Sequence, residues 1–297
     1  MATTLRGIGW LLTLAVTVHI AASSRNPQTP WASDLRVIQG IPYKSIAGEP
    51  LRYDLLLPLK QTDDPHRLPL VVAIHGGSWT GGSRTEYGPQ FAPLARGGFA
   101  VAVVDYRLAR PGAPSWPGAL EDVRSALQHI LDRADEFQLD TTRVAMLGTS
   151  AGGLLAARAA QIDPQVSAAV CLSTPYNLED LVSERRLRHD PVRTFLGNDP
   201  ALFKEASPLN HVEASGPATL SIHGGDDAWV PVDQARKMHE RLKEKGTFNR
   251  LIVIPEARHG FELRVGAPNA VDLTPEIFGF LNDFWRQRTL NDGLASS

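Results

Sequence analysis

The chain has 297 residues, of which 43% are apolar and 21% charged, with a formal net charge of −2 at neutral pH. This suits a globular protein with a full core, in one large α/β domain or two small ones. The near-neutral balance leaves no electrostatic case for nucleic acid or an anionic membrane surface. Internal repeats and low-complexity tracts are absent from the sequence.

The first residues have the anatomy of a signal peptide. Met1 to Gly7 carries one arginine and no acid, and Ile8 to Ala22 is mostly apolar, interrupted by His19. Ala21-Ala22-Ser23-Ser24 supplies small residues for cleavage. The apolar run is short for a membrane span, and no cysteine stands near it to carry a lipid. Residues 1–24 are therefore expected to direct export to the periplasm or medium, with an uncleaved anchor as the alternative. Residues 25–34, with Pro27 and Pro30, read as a linker to a domain over 35–290.

Leu35 to Pro42 and Leu51 to Leu57 read as two early strands separated by a turn at Gly48-Glu-Pro50. Gln61 to Arg67 is a polar loop. Leu70-Val-Val-Ala-Ile74 is a continuous apolar strand, the pattern of a central strand buried on both faces. It runs into His75-Gly-Gly-Ser-Trp79, whose glycines let backbone N–H groups approach a reacting carbonyl oxygen. A plain turn is the simpler reading of Gly76-Gly77, and Gly81-Gly82 predicts a mobile loop. Phe99 to Asp105 is a further buried strand. Asp105 at its end is either catalytic or, the favoured reading, fixes loop geometry, a role that Tyr106 and Arg107 share. Gly118 to Phe137 has apolar positions at helical spacing, and Asp122 and His129 on it read as structural.

Val144 to Leu147 is a short strand, and Leu154 to Ala160 is rich in Leu and Ala, as a buried helix is. Between them Gly148-Thr-Ser-Ala-Gly152 fits G-x-S-x-G. In that turn the serine is strained and raised, and small neighbours are needed because strand and helix approach closely. The following helix points its N-terminus at the serine, which favours developing negative charge. The single cysteine, Cys171, lies in an apolar strand and reads as an inert core thiol. An exported chain with no internal disulfide must rely on core burial.

Residues 175–215 break the alternation of strands and helices and read as a small cap over the site. Arg185, Arg186 and Arg188 either face an acidic or sugar substrate or are solvated surface charge, and His211 is a capping residue rather than a base. Ala218 to Ile222 is a strand leading to His223-Gly-Gly-Asp-Asp227, where an orienting acid is expected at Asp227 or, failing that, Asp226. Val232 to Lys245 is an amphipathic helix, and Arg250 to Pro255 the last strand. His259 follows it on a loop beside a glycine. Thr274 to Arg288 closes the fold, with a frayed tail. The order Ser150, Asp227, His259 is that of nucleophile, acid and base in α/β-hydrolases and differs from both serine-protease orders.

Five motifs in this order, His75-Gly-Gly-Ser-Trp79, Val104-Asp-Tyr-Arg-Leu108, Gly148-Thr-Ser-Ala-Gly-Gly153, His223 to Pro231 and His259-Gly-Phe261, resemble the α/β-hydrolase esterases. The likeness is to the bifunctional feruloyl/acetyl-xylan esterase and hormone-sensitive-lipase-like group, with kynurenine formamidase a close relation, over residues 36–288. It implies Ser150 as nucleophile, His259 as base, Asp227 as acid, and oxyanion donors at the backbone N–H of Gly77, Ser78 and Ala151. Trp79 is expected to contact substrate. Ser78 stands where lipase-like members usually carry a third glycine, which favours the xylan-esterase or formamidase-like branch. The absence of a long helical cap at the N-terminus implies an open pocket suited to a bulky or polymeric ester. The expected reaction is ester hydrolysis through an acyl-enzyme, with no metal or organic cofactor. The rivals are a prolyl-oligopeptidase-type serine peptidase, for whose propeller there is no room, an arylformamidase, and a non-catalytic hydrolase-fold binding protein.

Overall fold

A computed structural model describes residues 30–59, 67–183, 190–261 and 271–295. The proposed signal peptide, most of the polar loop and the cap arginines at 185, 186 and 188 lie outside them. Eight strands form one sheet: β1 (Leu35–Ile46), β2 (Glu49–Pro58), β3 (Leu68–Ile74), β4 (Ala100–Val104), β5 (Leu139–Thr149), β6 (Ala168–Leu172), β7 (Ala218–Gly224) and β8 (Asn249–Ile254), in the order β1-β2-β4-β3-β5-β6-β7-β8. The β1–β2 and β2–β4 pairs are antiparallel and all others parallel. With helices on both faces, this is the α/β-hydrolase arrangement that the motif order implies.

The helices are α1 (Arg84–Arg96), α2 (Gly118–Leu131), α3 (Ala134–Phe137), α4 (Ala151–Ile162), α5 (Leu178–Ser183), α6 (Pro191–Leu196), α7 (Pro200–Ala206), α8 (Asp233–Glu244) and α9 (Thr274–Ala295). Successive side chains of a strand point to opposite faces, and β3 divides accordingly. Leu70, Val72 and Ile74 pack with α2, α4 and α8. Val71 and Ala73 pack with α1 and α9, against Phe91, Phe280 and Trp285. Both faces of this central strand are thus apolar, which is why it reads as an unbroken hydrophobic run. No helix among the described residues is long and apolar enough to cross a membrane.

Several expectations change. The β1–β2 turn is Ala47-Gly48, both at positive φ (50° and 89°), and Glu49 and Pro50 already belong to β2. The helix expected over 118–137 ends at Leu131 and resumes as the short α3. The closing helix continues to Ala295 rather than fraying after Arg288. The 175–215 segment contains three short helices and a 3-10 turn at Pro208–His211. It packs onto the body through Phe195, whose carbonyl accepts from the N–H groups of Ser115 and Trp116.

Candidate active site

The expected site residues follow the C-terminal ends of β3, β5, β7 and β8, where an open α/β sheet builds its sites. Ser150 lies between β5 and α4 with φ 53° and ψ −118°, a conformation costly for any residue with a side chain. Its N–H donates to Leu172 O (2.8 Å) and its carbonyl accepts from Gly153 N (2.9 Å). The flanking glycines explain the pentapeptide. A Cβ on Gly148 would stand 2.2 Å from Gly152 O, and one on Gly152 would stand 2.4 Å from both Ile74 O and His75 O. The elbow is therefore wedged between its own helix and the end of β3.

Ser150 Oγ lies 2.9 Å from His259 Nε2, and His259 Nδ1 lies 2.7 Å from Asp227 Oδ2. Asp227 Oδ1 accepts from the N–H groups of Trp229 (2.9 Å) and Val230 (2.8 Å). Its side chain is 0% exposed. Burial alone would raise its pKa, but hydrogen bonds from His223, His259 and the Val230 N–H hold the carboxyl well below the usual carboxylate range. An ionised Asp227 can only accept, so His259 carries its proton on Nδ1 and turns the Nε2 lone pair to Ser150. This relay can take the hydroxyl proton as Oγ attacks a carbonyl carbon. Asp226, the runner-up, is exposed and outside the relay.

The loop after β3 is a tight turn: Thr80 N and Gly81 N both return to Gly77 O at 3.0 Å. Gly77 (φ 118°), Ser78 (φ 54°) and Trp79 (φ 60°) all have positive φ. Among the described residues, the N–H groups of Gly77, Ser78 and Ala151 donate to no protein acceptor. The Ala151 N–H is also an orphan donor at the start of α4, where the helix dipole favours negative charge. Gly76 packs closely against the elbow: a Cβ placed on it would stand 3.0 Å from Thr149 O and 3.5 Å from Ser150 Cβ. The loop that carries these donors therefore adjoins the strand end that bears the serine.

Trp79 is a correction. It was expected to line the substrate pocket, yet it is 2% exposed. Its Nε1–H donates to Ala151 O (3.1 Å), and its ring stacks on Phe195 at 4.4 Å and 5°. Trp116 packs edge-on against the same Phe195 at 5.7 Å. Trp79 thus braces the loop after β3 against the elbow and the inserted segment.

Some contributors escape sequence reasoning. His223 Nε2 donates to Val230 O (2.8 Å) and lies 3.4 Å from Asp227 Oδ2, so it fixes the turn that carries the acid. Tyr106 donates its hydroxyl to His75 O (3.1 Å) and stacks on the His75 ring at 4.3 Å. Burial lowers the His75 pKa, and its Nδ1–H donates to Gly76 O at 2.7 Å. Both histidines lie within the motifs, but their side-chain directions are set by tertiary packing. The residues expected to be structural behave so. Asp105 accepts from the Arg84 N–H at the start of α1 (2.8 Å). Asp122 accepts from Arg107 Nε and Nη2 at 2.7 Å each and pairs with Lys44. His211 bonds Glu205 O, away from the relay. Among the described residues, no group of three or more His, Cys, Asp or Glu side chains is placed to hold a metal.

Residues 53–242 match the protein family described as BD-FAE. Esterase LipC of Mycobacterium tuberculosis is 32% identical over 242 residues, covering 74% of this chain and 59% of that protein. This chain spans about half the length of the curated relatives it matches. Among solved structures, a thermophilic esterase of Thermogutta terrifontis with propionate bound has a TM-score of 0.70 and 26% identity, covering 87% of this chain and 96% of that one. An acetyl ester-xyloside bifunctional hydrolase from Caldicellulosiruptor lactoaceticus has a TM-score of 0.64 and 25% identity, covering 75% and 88%.

Proposed function

Because the chain belongs to the BD-FAE family, we propose that it is a serine esterase that hydrolyses acetyl, feruloyl or similar short-chain esters of carbohydrate. The observation that carries this reading is the unbroken hydrogen-bonded path from Ser150 Oγ through His259 to Asp227, beside three unengaged N–H donors. Ser150 Oγ attacks the ester carbonyl while His259 Nε2 takes its proton. The oxyanion is held by the N–H groups of Gly77, Ser78 and Ala151; one such donor is worth roughly 3 kcal/mol in transition-state stabilisation. His259 then gives the proton to the leaving alcohol, and water activated by the same imidazole releases the acid. The substrate class draws support from the xyloside acetyl-ester hydrolase among the similar structures. The leader-like residues 1–24 support a protein exported to where such polymers are met.

The test is acetate release from acetylated xylan, with Ser150→Ala as control. Release that disappears in the variant is the expected result. Cleavage of p-nitrophenyl acetate with no release from xylan would keep the mechanism and discard the substrate. Cleavage of neither would discard the reading.

A further inference from the structure

Arg158 lies on the third turn of α4 and is 7% exposed. Buried arginines normally face a carboxylate; among the described residues none stands within ion-pair distance of this one. It has a hydrogen bond from Nη1 to Gln161 Oε1 (2.9 Å), and its Nε–H has no acceptor among the described residues. Burial pulls its pKa down to about 10, and the carboxylate of Glu205, beyond ion-pair distance, only partly offsets that. The polar groups around it are spent elsewhere. Gln161 Nε2 donates to Pro208 O. Ser167 Oγ donates to Val144 O and accepts from Trp285 Nε1. His211 Nε2 bonds Glu205 O.

Arg158 lines a groove of about 550 Å³, a size typical of small-molecule sites. Its walls come from the segment between α4 and β6, the segment before β7, and α9. The first two precede parallel strands, so the groove opens at the N-terminal edge of the sheet. Ser150, Asp227 and His259 follow the C-terminal ends, a strand length of roughly 16 Å away. The groove is also lined by Arg288, Gln161 and His211, with an apolar patch from Ile162, Pro164 and Phe284. Its two acids carry little weight against an anion. Asp163 is neutralised by Arg124 at 2.8–3.1 Å, and Glu213 is exposed.

We propose that this groove is a second binding site, taking a small organic monocarboxylate with its carboxylate on Arg158 and its apolar body against Ile162, Pro164 and Phe284. The Nη hydrogens not given to Gln161 lie in the guanidinium plane, an arrangement that a carboxylate's two oxygens can match end-on. A monoanion with an apolar body uses both the arginine and the apolar patch, whereas inorganic phosphate leaves that patch unused. The proposal does not depend on the activity assigned to Ser150.

The experiment is calorimetric titration of the full protein with benzoate, with benzamide and inorganic phosphate as the neutral and non-organic controls. Two variants accompany it: Arg158→Met, and Ile162→Asp at the partly exposed mouth. Saturable benzoate binding is expected, weaker by about tenfold or more in each variant, as for loss of a charged hydrogen-bonded partner or gain of a repelling one. Benzamide and phosphate should bind more weakly by a similar factor. Hydrolysis of p-nitrophenyl acetate should be unchanged in both variants, which separates this site from an acyl pocket at Ser150. Arg158→Met should also melt at a higher temperature than wild type without ligand, because an unpaired buried charge has been removed. If Arg158→Met fails to fold, Ile162→Asp decides. Absent benzoate binding, equal binding in wild type and the folded variants, or tighter binding of phosphate than benzoate would each overturn the proposal.

Discussion

Replacing Asp227 by asparagine tests the relay at one atom. Two backbone N–H groups, from Trp229 and Val230, point at Oδ1 from 2.9 and 2.8 Å. The amide oxygen of Asn must stay there, because a flipped amide would set N–H against two N–H donors, at about 1–3 kcal/mol for each one left unsatisfied. The amide nitrogen then takes the Oδ2 position, 2.7 Å from His259 Nδ1. His223 cannot relieve it as an acceptor, since its Nε2 proton is given to Val230 O. His259 Nδ1 must become the acceptor, and the imidazole proton moves to Nε2, facing Ser150. The base is lost with the geometry nearly intact. A change of this kind costs about 10⁴-fold in turnover, or about 5 kcal/mol in activation free energy. The assay is initial-rate hydrolysis of p-nitrophenyl acetate, with circular dichroism to show that the fold is retained. Asp226→Asn is the control, because Asp226 is exposed and, among the described residues, has only its backbone engaged, with Ala257 O. Activity in Asp227→Asn within about tenfold of wild type, or a larger loss in Asp226→Asn, would refute the reasoning.

Other perturbations follow from the same geometry. Gly152→Ala puts a methyl 2.4 Å from two carbonyl oxygens of rigid backbone. It should cost about 1–3 kcal/mol or more and abolish turnover; a thermal melt and a rate matching wild type would contradict the wedge. Trp79→Phe keeps a ring against Phe195 but removes the bond to Ala151 O. It should cost about 0.5–1.5 kcal/mol for that bond and lower kcat more than it changes KM, whereas a raised KM with kcat unchanged would return Trp79 to the substrate pocket. The depressed pKa of Asp227 links its ionisation to stability. The unfolded carboxyl binds its proton first, at about pH 3.9, so the stabilisation is complete above that pH and is lost as pH falls toward the folded value. Urea unfolding from pH 5 to pH 3 should show a steeper loss in wild type than in Asp227→Asn; equal slopes would remove the linkage.

The site was legible because each member stands just beyond an apolar strand whose pattern is unmistakable. β3, β5, β7 and β8 carry the loop donors, the serine, the acid and the histidine in turn. A short polar residue after such a strand has few places to go. The elbow glycines were legible for a related reason, since strand and helix cannot meet around a Cβ. What escaped depends on tertiary packing. α1, which contains Pro89 and Pro93 and whose start Ser83 caps through the Glu86 N–H, was not expected from the sequence. The break at Asp132-Arg133 lies within an apolar periodicity that continues into α3. Trp79 looked like a substrate contact because it follows the glycine loop, but a positive φ turns its indole inward to Ala151. Nothing in the spacing of His223 indicates that it buttresses the acid from behind.

Every step of the proposed reaction passes through acylation of Ser150 during turnover. The most direct measurement is rapid mixing of the protein with p-nitrophenyl acetate, followed by an acid quench and peptide mass mapping. The account predicts an acetyl group on the peptide containing Ser150, formed in a burst stoichiometric with protein and absent from Ser150→Ala. Turnover of the ester without an adduct on that peptide, or an equal burst in the variant, would contradict it.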